Sequence, residues 1–360
     1  MALISLSFSR TLRMSVQNLK PPAPRPRKAR PKMSNYKSLT LDELCVKITG
    51  VKNPVIIMHR SPDGDAVGSA MALWHLFSLL GKEAAFACAD KIPERLKFLT
   101  VGCTNKEFSD FSECDFISVD VASPAQLGNL PQKIPQAASP VLMIDHHSSG
   151  TPFADNYIRD DACATGEIIF DIAARLKELG HIGEFSPNMI NALYAAISSD
   201  SGCFKYSNVT PHTHIVAAML LDMGADSAEM NRLLFDSKSE GVLKAEGFAL
   251  NKMHSYFSGK LNLVCITKAD RDALGLELEF FETAIDVVRS LDGVEIAVAI
   301  KELDDGSFKV SLRSNCADVS ALCAKFGGGG HVKAAGCTVK ASSCDEAAEL
   351  VLAEAKKMFF

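Results

Sequence analysis

Short apolar runs and longer stretches of helically spaced apolar residues alternate along the first two thirds of the chain. The short runs are typical of buried strands, and they span residues 55–58, 84–88, 116–121 and 141–144. Apolar residues recur every three or four positions over 65–80, 165–179, 187–198, 211–223 and 227–235, which predicts helices. Strands that alternate with helices predict an α/β domain with a parallel, doubly wound sheet.

The pattern changes in the last third of the chain. Residues 237–257 have helical spacing and predict one long helix, which ends before Ser258-Gly259. Alternation beyond it predicts strands over 261–267, 294–303, 307–313 and 335–339, and helical spacing predicts helices over 279–290, 319–326 and 345–358. We therefore expect four parts: a tail (1–40), the α/β domain (41–236), a linker helix (237–258) and a smaller α+β domain (259–360).

Length and composition agree with a two-domain globular protein. The chain has 360 residues, of which 47% are hydrophobic and 22% are charged. No apolar run reaches the roughly 18–20 residues that span a bilayer, which excludes an integral membrane protein. The eleven cysteines form no C-x-x-C pair, so a zinc knuckle is not expected.

The N-terminal tail is basic. Residues 1–41 carry nine Lys and Arg and no acidic residue, and residues 1–33 include five prolines. Such an Arg- and Ser-rich, acid-poor segment is typical of a transit peptide, which would direct the chain to a mitochondrion or plastid. The alternative is a disordered basic tail on a cytoplasmic protein. In either case we exclude the tail from the fold.

The rest of the chain is acidic. From Asp42 onward it holds 29 basic and 43 acidic residues, a net charge of −14. Such a surface is a poor non-specific coat for nucleic acid, because phosphate neutralisation needs clustered cations. If this part of the chain handles nucleotides, we expect a local pocket in which metal ions supply the positive charge.

Metal-binding residue types follow three of the predicted strands. The first strand is followed by His59, Asp63 and Asp65 within the segment HRSPDGD, and the third ends at Asp120. The fourth strand ends in Asp145-His146-His147. Because ligands bind outside the carboxyl ends of strands in open parallel sheets, these residues are expected at one rim. For Asp65, the alternative is a helix N-cap.

A further carboxylate, Asp200, follows a predicted helix within the segment SSDSG. Carboxylates and imidazoles without a thiolate suit manganese or a similar divalent ion better than zinc. The paired histidines beside an aspartate are difficult to explain by packing alone. The sequence therefore predicts a metal site on the α/β domain.

Near the C-terminus, four glycines precede His331. Successive glycines would let backbone N–H groups converge on an anion, and the alternative is a flexible linker. Arg313 and Ser314 lie just upstream, where the arginine could bind phosphate through its forked guanidinium. Together they predict a phosphate-binding region on the second domain.

These motifs, in this order, resemble the DHH phosphoesterase family with its C-terminal DHH-associated domain. The resemblance rests on HRSPDGD, the strand end at Asp120, IDHH, SSDSG and GGGGH, and it covers about residues 40–358. Within the family, the chain is most similar to the compact oligoribonuclease and pAp phosphatase type. The larger RecJ-type exonucleases resemble it in these motifs but carry additional nucleic-acid-binding domains, which we do not expect here.

The resemblance implies two metal ions in a cleft between the two domains. One would be held by His59, Asp63 and Asp120, and the other by Asp65, Asp120, His146 and Asp200. Both ions would be Mn²⁺, with Mg²⁺ or Co²⁺ as alternatives, and Asp120 would bridge them.

The resemblance also assigns roles in catalysis and in substrate binding. His147 would help to protonate the leaving oxygen, and Asp145 would orient the neighbouring histidines. The substrate would be bound by residues of the second domain, namely Arg313, Ser314, Gly328, Gly329, Gly330 and His331. A homodimer is also implied.

Two positions depart from the family's pattern. Asn315 stands where a lysine is common, and Gln126 stands where an arginine often follows the strand that carries Asp120. Both are expected to touch the substrate, so these departures leave the choice of substrate open.

The expected activity is a metal-dependent phosphoesterase, with 3′–5′ exonuclease-like action on short RNA. Its substrates would be short oligoribonucleotides (nanoRNA), 3′-phosphoadenosine 5′-phosphate (pAp) or linear dinucleotides. One alternative is an inorganic pyrophosphatase or exopolyphosphatase built on the same catalytic domain. Another is a nucleotide-binding protein without catalysis, which would lack a ligand; all the expected ligands are present.

Overall fold

A computed structural model describes residues 36–104, 114–130, 140–148 and 150–360. The chain divides into two compact units, one ending at Ser237 and the other beginning at Lys238. Residues 1–33, the predicted transit peptide, lie outside the described residues, so that interpretation stays a prediction. Within the described part of the chain, none of the helices combines the length and the apolar character that a bilayer crossing demands.

The first unit contains a five-stranded parallel sheet. Its strands are β1 (Pro54–Ile57), β2 (Ala85–Ala87), β3 (Asp115–Val119), β4 (Pro140–Asp145) and β5 (Asn156–Ile158), in the spatial order β2-β1-β3-β4-β5. All four neighbouring pairs are parallel, as the sequence predicts. The sequence does not predict β5, which has only three residues. Because the strands are parallel, the residues that follow them lie along one edge of the sheet.

The described α-helices of the first unit pack on one face of this sheet. They are α1 (Leu41–Gly50), α2 (Gly64–Leu79), α3 (Thr165–Glu178), α4 (Pro187–Asp200), α5 (Pro211–Asp222) and α6 (Ser227–Asn231). Short 3₁₀ helices span Glu94–Thr100 and Pro124–Leu127, and a π-helical turn, Arg232–Asp236, follows α6. The helix α1, which the sequence pattern leaves unassigned, begins at a capping box in which Thr40 and Glu43 bond reciprocally.

Three of these helices pack unusually closely through small residues. A Cβ atom added to Gly68 of α2 would lie 2.8 Å from the carbonyl oxygen of Ala192 and 2.9 Å from Cβ of Ala196, both on α4. A Cβ atom added to Gly166 of α3 would lie 2.5 Å from the same Ala196 Cβ. The two glycines therefore let α2, α3 and α4 approach one another, which fixes the relative positions of their polar ends.

The second unit is built on a six-stranded mixed sheet. Its strands are β6 (His254–Tyr256), β7 (Leu261–Ile266), β8 (Ile296–Glu302), β9 (Phe308–Ser314), β10 (Gly329–His331) and β11 (Ala334–Val339), in the order β10-β11-β9-β8-β7-β6. Only the β7–β8 pair is parallel. The helices are α7 (Glu240–Lys252), α8 (Lys268–Leu274), α9 (Ala284–Arg289), α10 (Val319–Ala324) and α11 (Cys344–Phe359). This architecture confirms the predicted α+β class.

The helix predicted over 237–257 is too long. It ends at Lys252, where Met253 adopts an extended backbone, and β6 follows at once. The strand β6 pairs antiparallel with β7 through a turn in which Phe257, Ser258 and Gly259 all have positive φ. The backbone groups of residues 254–256 form hydrogen bonds with β7, where a longer helix would have formed them internally. Because this pairing depends on a strand beyond the predicted helix, the local apolar spacing could not locate the end of the helix.

The helix predicted over 279–290 is also interrupted. A 3₁₀ helix, Leu278–Phe281, precedes α9, which begins only at Ala284. Both pieces bury apolar side chains, including Phe281 and Ile285, against one face of the second sheet. The apolar residues therefore keep their helical spacing across the gap between the 3₁₀ helix and α9, and for this reason the sequence pattern predicts a single helix.

We predict that replacing Gly68 by alanine destabilises the first unit by about 1–3 kcal/mol, because the new Cβ must push α4 away from α2. Urea denaturation followed by circular dichroism measures the change. Gly50→Ala is the matched control: it lies at the end of α1, where an added Cβ meets nothing within 4 Å. The control is expected to change stability by less than about 0.5 kcal/mol. Equal denaturation midpoints for the two variants would contradict the close packing of α2 on α4.

Candidate metal centre

The end of β1 and the end of β3 bring the first group of candidate ligands together. His59 lies two residues past β1, and Asp120 directly follows the neighbouring strand β3. The Nε2 atom of His59 lies 3.5 Å from Oδ2 of Asp120 and 3.9 Å from Oδ1 of Asp63. The three side chains therefore face one point outside the sheet.

The second group combines one residue from each of three elements. Asp65 lies in the first turn of α2, His146 directly follows β4, and Asp200 is the last residue of α4. The Nε2 atom of His146 lies 3.8 Å from Oδ2 of Asp65 and 3.7 Å from Oδ2 of Asp200. Their ligand atoms all lie within 4.8 Å of one another, which suits a single bound cation.

Asp120 faces both groups. Its Oδ2 atom points towards His59, while its Oδ1 atom lies 3.6 Å from Nε2 of His146. The residue is 2% exposed and has φ 57°, a left-handed conformation that Asp and Asn tolerate better than most residues do. Its two oxygens therefore have the arrangement that a bridging carboxylate between two ions requires.

The orientation of the two histidines favours a metal over a purely structural role. The Nδ1 atom of His59 donates to the carbonyl oxygen of Arg60 at 2.7 Å, and Nδ1 of His146 donates to that of Ala162 at 3.3 Å. Each ring thus has its proton on Nδ1 and directs Nε2 towards the carboxylates. This is the usual arrangement of histidine ligands, whose second nitrogen is bonded to a backbone carbonyl.

Asp63 and Asp65 have different structural roles. The N-cap of α2 is Asp63, whose Oδ1 accepts hydrogen bonds from the N–H groups of Asp65 at 3.1 Å and Ala66 at 3.0 Å. The alternative prediction, that Asp65 caps this helix, is therefore wrong. Asp65 is 1% exposed, and its carboxylate accepts from the N–H groups of Thr165 at 2.7 Å and Gly166 at 3.0 Å. The N-terminus of α3 thus stabilises this buried charge.

His147 pairs with Asp145 and lies close to Asp120 and His146, with which it forms a third group of possible metal ligands. Its Nδ1 atom lies 2.7 Å from Oδ1 of Asp145, which is 1% exposed, and 3.7 Å from Oδ1 of Asp120. The Asp145 carboxylate therefore fixes the orientation of the His147 ring. For His146, the described contact of Nδ1 is the Ala162 carbonyl instead.

The concentration of carboxylates dominates the electrostatics of this cluster. Burial alone would lower the pKa of His59, but its contacts with Asp120 and Asp63 outweigh burial and raise that pKa to about 11. For His146, attraction to Asp200, Asp120 and Asp65 likewise outweighs burial and raises the pKa to about 9. Burial and the neighbouring Asp120 raise the pKa of Asp65. Without a cation, the cluster thus compensates its negative charge with protons.

The donor set fits divalent cations that accept oxygen and nitrogen ligands. Its members are carboxylates and imidazoles, namely His59, Asp63, Asp65, Asp120, His146 and Asp200, with His147 beside them. Neither of the two groups includes a thiolate. This composition fits a bound divalent cation, in agreement with the metal site expected from the sequence.

In the second unit, Arg313 and Ser314 end β9. The Arg313 guanidinium donates to the Leu312 carbonyl at 3.1 Å, and it has no carboxylate partner within the described ranges. Ser314 is 3% exposed, and its Oγ accepts from the N–H groups of Cys316 at 3.1 Å and Ala317 at 2.6 Å. Arg313 thus keeps donors for a ligand, whereas the Ser314 hydroxyl already holds a turn.

The glycine segment is more ordered than predicted. The N–H groups of Gly327 and Gly328 donate to the carbonyls of Ala324 and Cys323, at 3.1 and 2.9 Å, and so complete the end of α10. The expectation that all four glycine amides converge on an anion is therefore wrong for these two. Gly329 and Gly330 instead begin β10, which His331 ends.

The two positions that depart from the family's pattern have structural partners. Oε1 of Gln126 accepts from the N–H groups of Ala122 at 2.6 Å and Ser123 at 3.3 Å, which caps a 3₁₀ helix. Nδ2 of Asn315 donates to the carbonyl of Val294 at 2.8 Å. These contacts occupy groups that were expected to touch the substrate.

Sequence reasoning missed several residues whose side chains contact candidate ligands, among them Ser69, which donates to Asp65 at 2.8 Å. Oγ1 of Thr165 donates to Oδ1 of Asp120 at 3.1 Å, and Nδ2 of Asn208 lies 3.3 Å from Oδ2 of Asp200. Thr165 follows a run of small residues at the start of α3, which is a weak signal of close packing. The position of Asn208 in the sequence carries no comparable signal.

Comparison with known proteins supports this description. The model of the DHH family's N-terminal domain matches residues 53–197, and the DHHA1 domain model matches residues 276–357. The bifunctional oligoribonuclease and PAP phosphatase NrnA of Thermus thermophilus is 32% identical over 315 residues, which cover 85% of this chain and 90% of that protein. The protein of the same name from Bacillus subtilis is 26% identical over 81% of this chain and 91% of its own length.

A solved structure has the same architecture. The crystal structure of an exopolyphosphatase-related protein from Bacteroides fragilis matches with a TM-score of 0.79 and covers 88% of this chain and 96% of that chain. At 22% identity this likeness shows the fold alone. The resemblance inferred from the sequence motifs is thus confirmed: the chain belongs to the DHH family, and it carries a DHHA1 domain in its C-terminal part.

Proposed function

We propose that this chain is a divalent-metal-dependent phosphoesterase that hydrolyses short oligoribonucleotides and pAp. The observation that carries the proposal is the position of Asp120, whose two oxygens face two separate groups of candidate ligands. The names of the relatives from Thermus thermophilus and Bacillus subtilis supply the substrate class. Linear dinucleotides belong to the class of short oligoribonucleotides, because they contain a phosphodiester next to a free end.

The proposed ligands of one ion are His59, Asp63 and Asp120, and those of the other are Asp65, Asp120, His146 and Asp200. Mn²⁺ is the proposed metal, with Mg²⁺ or Co²⁺ as alternatives. Such a pair of ions lowers the pKa of a bound water and neutralises charge on the phosphate. The acidic residues alone would repel a phosphate ester, so activity is expected to require the metal.

His147 is the proposed proton donor to the leaving oxygen. Its Nδ1 lies 2.7 Å from Oδ1 of Asp145, which orients the ring, and Nε2 is the nitrogen proposed to act on the leaving oxygen. The Asp145 carboxylate stabilises the doubly protonated imidazole, which holds a proton at Nε2 and can release it. Asp145 thereby acts through His147 and needs no contact with the reacting atoms.

The second unit is the proposed substrate-binding domain. Arg313 would bind a substrate phosphate, because its guanidinium has no carboxylate partner in the described part of the chain. Ser314, Gly329, Gly330 and His331 complete the proposed substrate-binding set. The cleft between the domains, the domain boundaries within the chain and the homodimer stay predictions.

We predict that the purified chain with Mn²⁺ releases mononucleotides from a diribonucleotide and a pentaribonucleotide, and phosphate from pAp. A 24-mer and inorganic pyrophosphate are expected to react at least about tenfold more slowly, since the named relatives act on short RNA and PAP. Chromatography of nucleotides and a phosphate assay provide the measurements. Faster hydrolysis of pyrophosphate or polyphosphate would favour the pyrophosphatase alternative. Nucleotide binding without turnover under any metal would favour an inactive binding protein.

We predict that Mn²⁺ raises the melting temperature of metal-free protein, because cations replace protons among the buried carboxylates. At one hundred times the dissociation constant, binding stabilises the folded state by about 2.7 kcal/mol. Asp120→Asn should abolish most of this gain, since asparagine keeps the left-handed backbone and the volume but lacks the charge. Differential scanning fluorimetry after chelation measures the shift. Asp42→Asn, on the surface of α1, is the control and should respond as the wild type does.

We predict that His147→Gln lowers kcat about 10²–10⁴-fold, the range expected for loss of a general acid. Binding of Mn²⁺, measured by titration calorimetry, should change less than about threefold, because His147 is not a proposed ligand. Kinetics on pAp and calorimetry on the same preparation separate the two effects. If the variant loses a metal ion instead, His147 belongs to the coordination set and the proposed role is wrong.

A further inference from the structure

One short segment contacts most of the second ligand group. Residues 162–166, here called the support segment, lead from the end of β5 into α3. The carbonyl of Ala162 accepts from His146 Nδ1 at 3.3 Å, and the N–H groups of Thr165 and Gly166 donate to Asp65 at 2.7 and 3.0 Å. Two of the three ligands in this group are thus oriented by backbone atoms of the support segment.

The third ligand, Asp200, is joined to the same segment through a side chain. The Nδ2 atom of Asn208 donates to the carbonyl of Cys163 at 3.0 Å and to the backbone carbonyl of Asp200 at 3.0 Å. The same atom lies 3.3 Å from Oδ2 of Asp200, the oxygen that faces His146. Asn208 therefore links the support segment to both the backbone and the carboxylate of Asp200.

A constrained turn brings Asn208 back to this position. After α4, the residues Gly202, Cys203 and Phe204 have φ of 56°, 57° and 62°, three left-handed conformations in succession. For residues other than glycine this conformation costs roughly 1–2 kcal/mol each, so surrounding contacts must hold it. Such contacts include the N–H groups of Lys205 and Tyr206, which donate to the Ser201 carbonyl at 2.9 and 3.0 Å. The turn reverses the chain and returns it to the end of α4.

Asn208 has no described contact with the first ligand group. His59 is held by Arg60, and Asp63 caps α2, while Asp120 receives its hydrogen bond from Thr165. Loss of the Asn208 amide should therefore disturb one group and leave the other intact. This separation distinguishes a positioning residue from a residue that only supports the fold.

We propose that Asn208 is a positioning residue for one of the two metal ions: it aligns Asp200 with Asp65 and His146 through the support segment. The inference rests on the proposed function insofar as these three residues bind an ion. Without Asn208, the carboxylate of Asp200 loses its only described hydrogen-bond donor and can rotate away from His146. Replacement of such a supporting hydrogen bond typically weakens metal affinity about 10–100-fold.

The test is a calorimetric titration of the full metal-free chain with Mn²⁺, with free Mn²⁺ followed by electron paramagnetic resonance. Wild type is expected to bind two ions. Asn208→Ala should keep one affinity within about threefold of wild type and weaken the other about 10–100-fold. Turnover of pAp should then be restored by raising Mn²⁺, because the reacting groups themselves are unchanged.

Two further variants keep the result interpretable. Asn208→Leu has nearly the same volume without hydrogen-bonding groups, and it replaces Asn208→Ala if circular dichroism shows that the alanine variant does not fold. Asn156→Ala is the control, because this buried amide of β5 donates to the Ala154 carbonyl at 3.2 Å and takes no part in the ligand groups. Its melting temperature is expected to fall, because a buried hydrogen bond is lost, whereas both Mn²⁺ affinities should stay as in wild type.

The outcomes separate this proposal from the proposed function. Two unchanged affinities in Asn208→Ala, or equal weakening of both, would overturn the positioning role while the metal-dependent activity still stands. Two ions in wild type with selective loss in the variant, but no phosphoester hydrolysis, would support the positioning role and overturn the proposed activity. A wild-type chain that binds no Mn²⁺ would overturn both.

Discussion

The first unit is organised around the burial of negative charge at one edge of its sheet. Asp65, Asp120 and Asp145 are each at most 2% exposed, and Asp63 and Asp200 lie beside them. An isolated buried carboxylate is strongly destabilising unless hydrogen bonds or opposite charges compensate it. The N-terminus of α3, the Thr165 hydroxyl and three imidazoles supply part of this compensation. Divalent cations would supply the rest, so the same buried carboxylates would bind the ions that the proposed reaction needs.

Backbone packing sets the accuracy of this arrangement. Parallel strands bring His59, Asp120 and His146 to the same edge, but Asp65 and Asp200 come from helices. Their separation depends on how closely α2, α3 and α4 approach, and Gly68 and Gly166 allow that approach because a Cβ atom at either position would overlap α4. The small residues at the helix contacts therefore help to set the distances between the polar residues at the edge of the sheet. A displacement of a helix by a few tenths of an ångström would move a ligand atom by a similar amount.

The sequence predicted the grouping of the candidate ligands better than the contacts that hold these residues in place. The rule that parallel strands end at one edge suffices to group His59, Asp120 and His146, because it needs only strand ends and no register. Thr165 and Asn208 could not be found in this way, since their contacts depend on helix packing and on a left-handed turn that the local pattern does not encode. The glycine segment was misjudged for a similar reason: glycine disfavours strands locally, yet β11 supplies the partner that orders Gly329 and Gly330.

The two ligand groups differ in how much support they receive. In the first group the Asp63 side chain is 53% exposed, so water can solvate its charge. In the second group Asp65 is 1% exposed and His146 is 10% exposed, so water cannot take the place of missing hydrogen bonds. Backbone donors of α3 and the carbonyl of Ala162 are found at these two buried side chains, where a misplaced group has no other partner. Asn208 instead supports Asp200, whose side chain is 31% exposed. For Asp65 the supporting contacts thus accompany deep burial, and they come from residues about one hundred positions away in sequence.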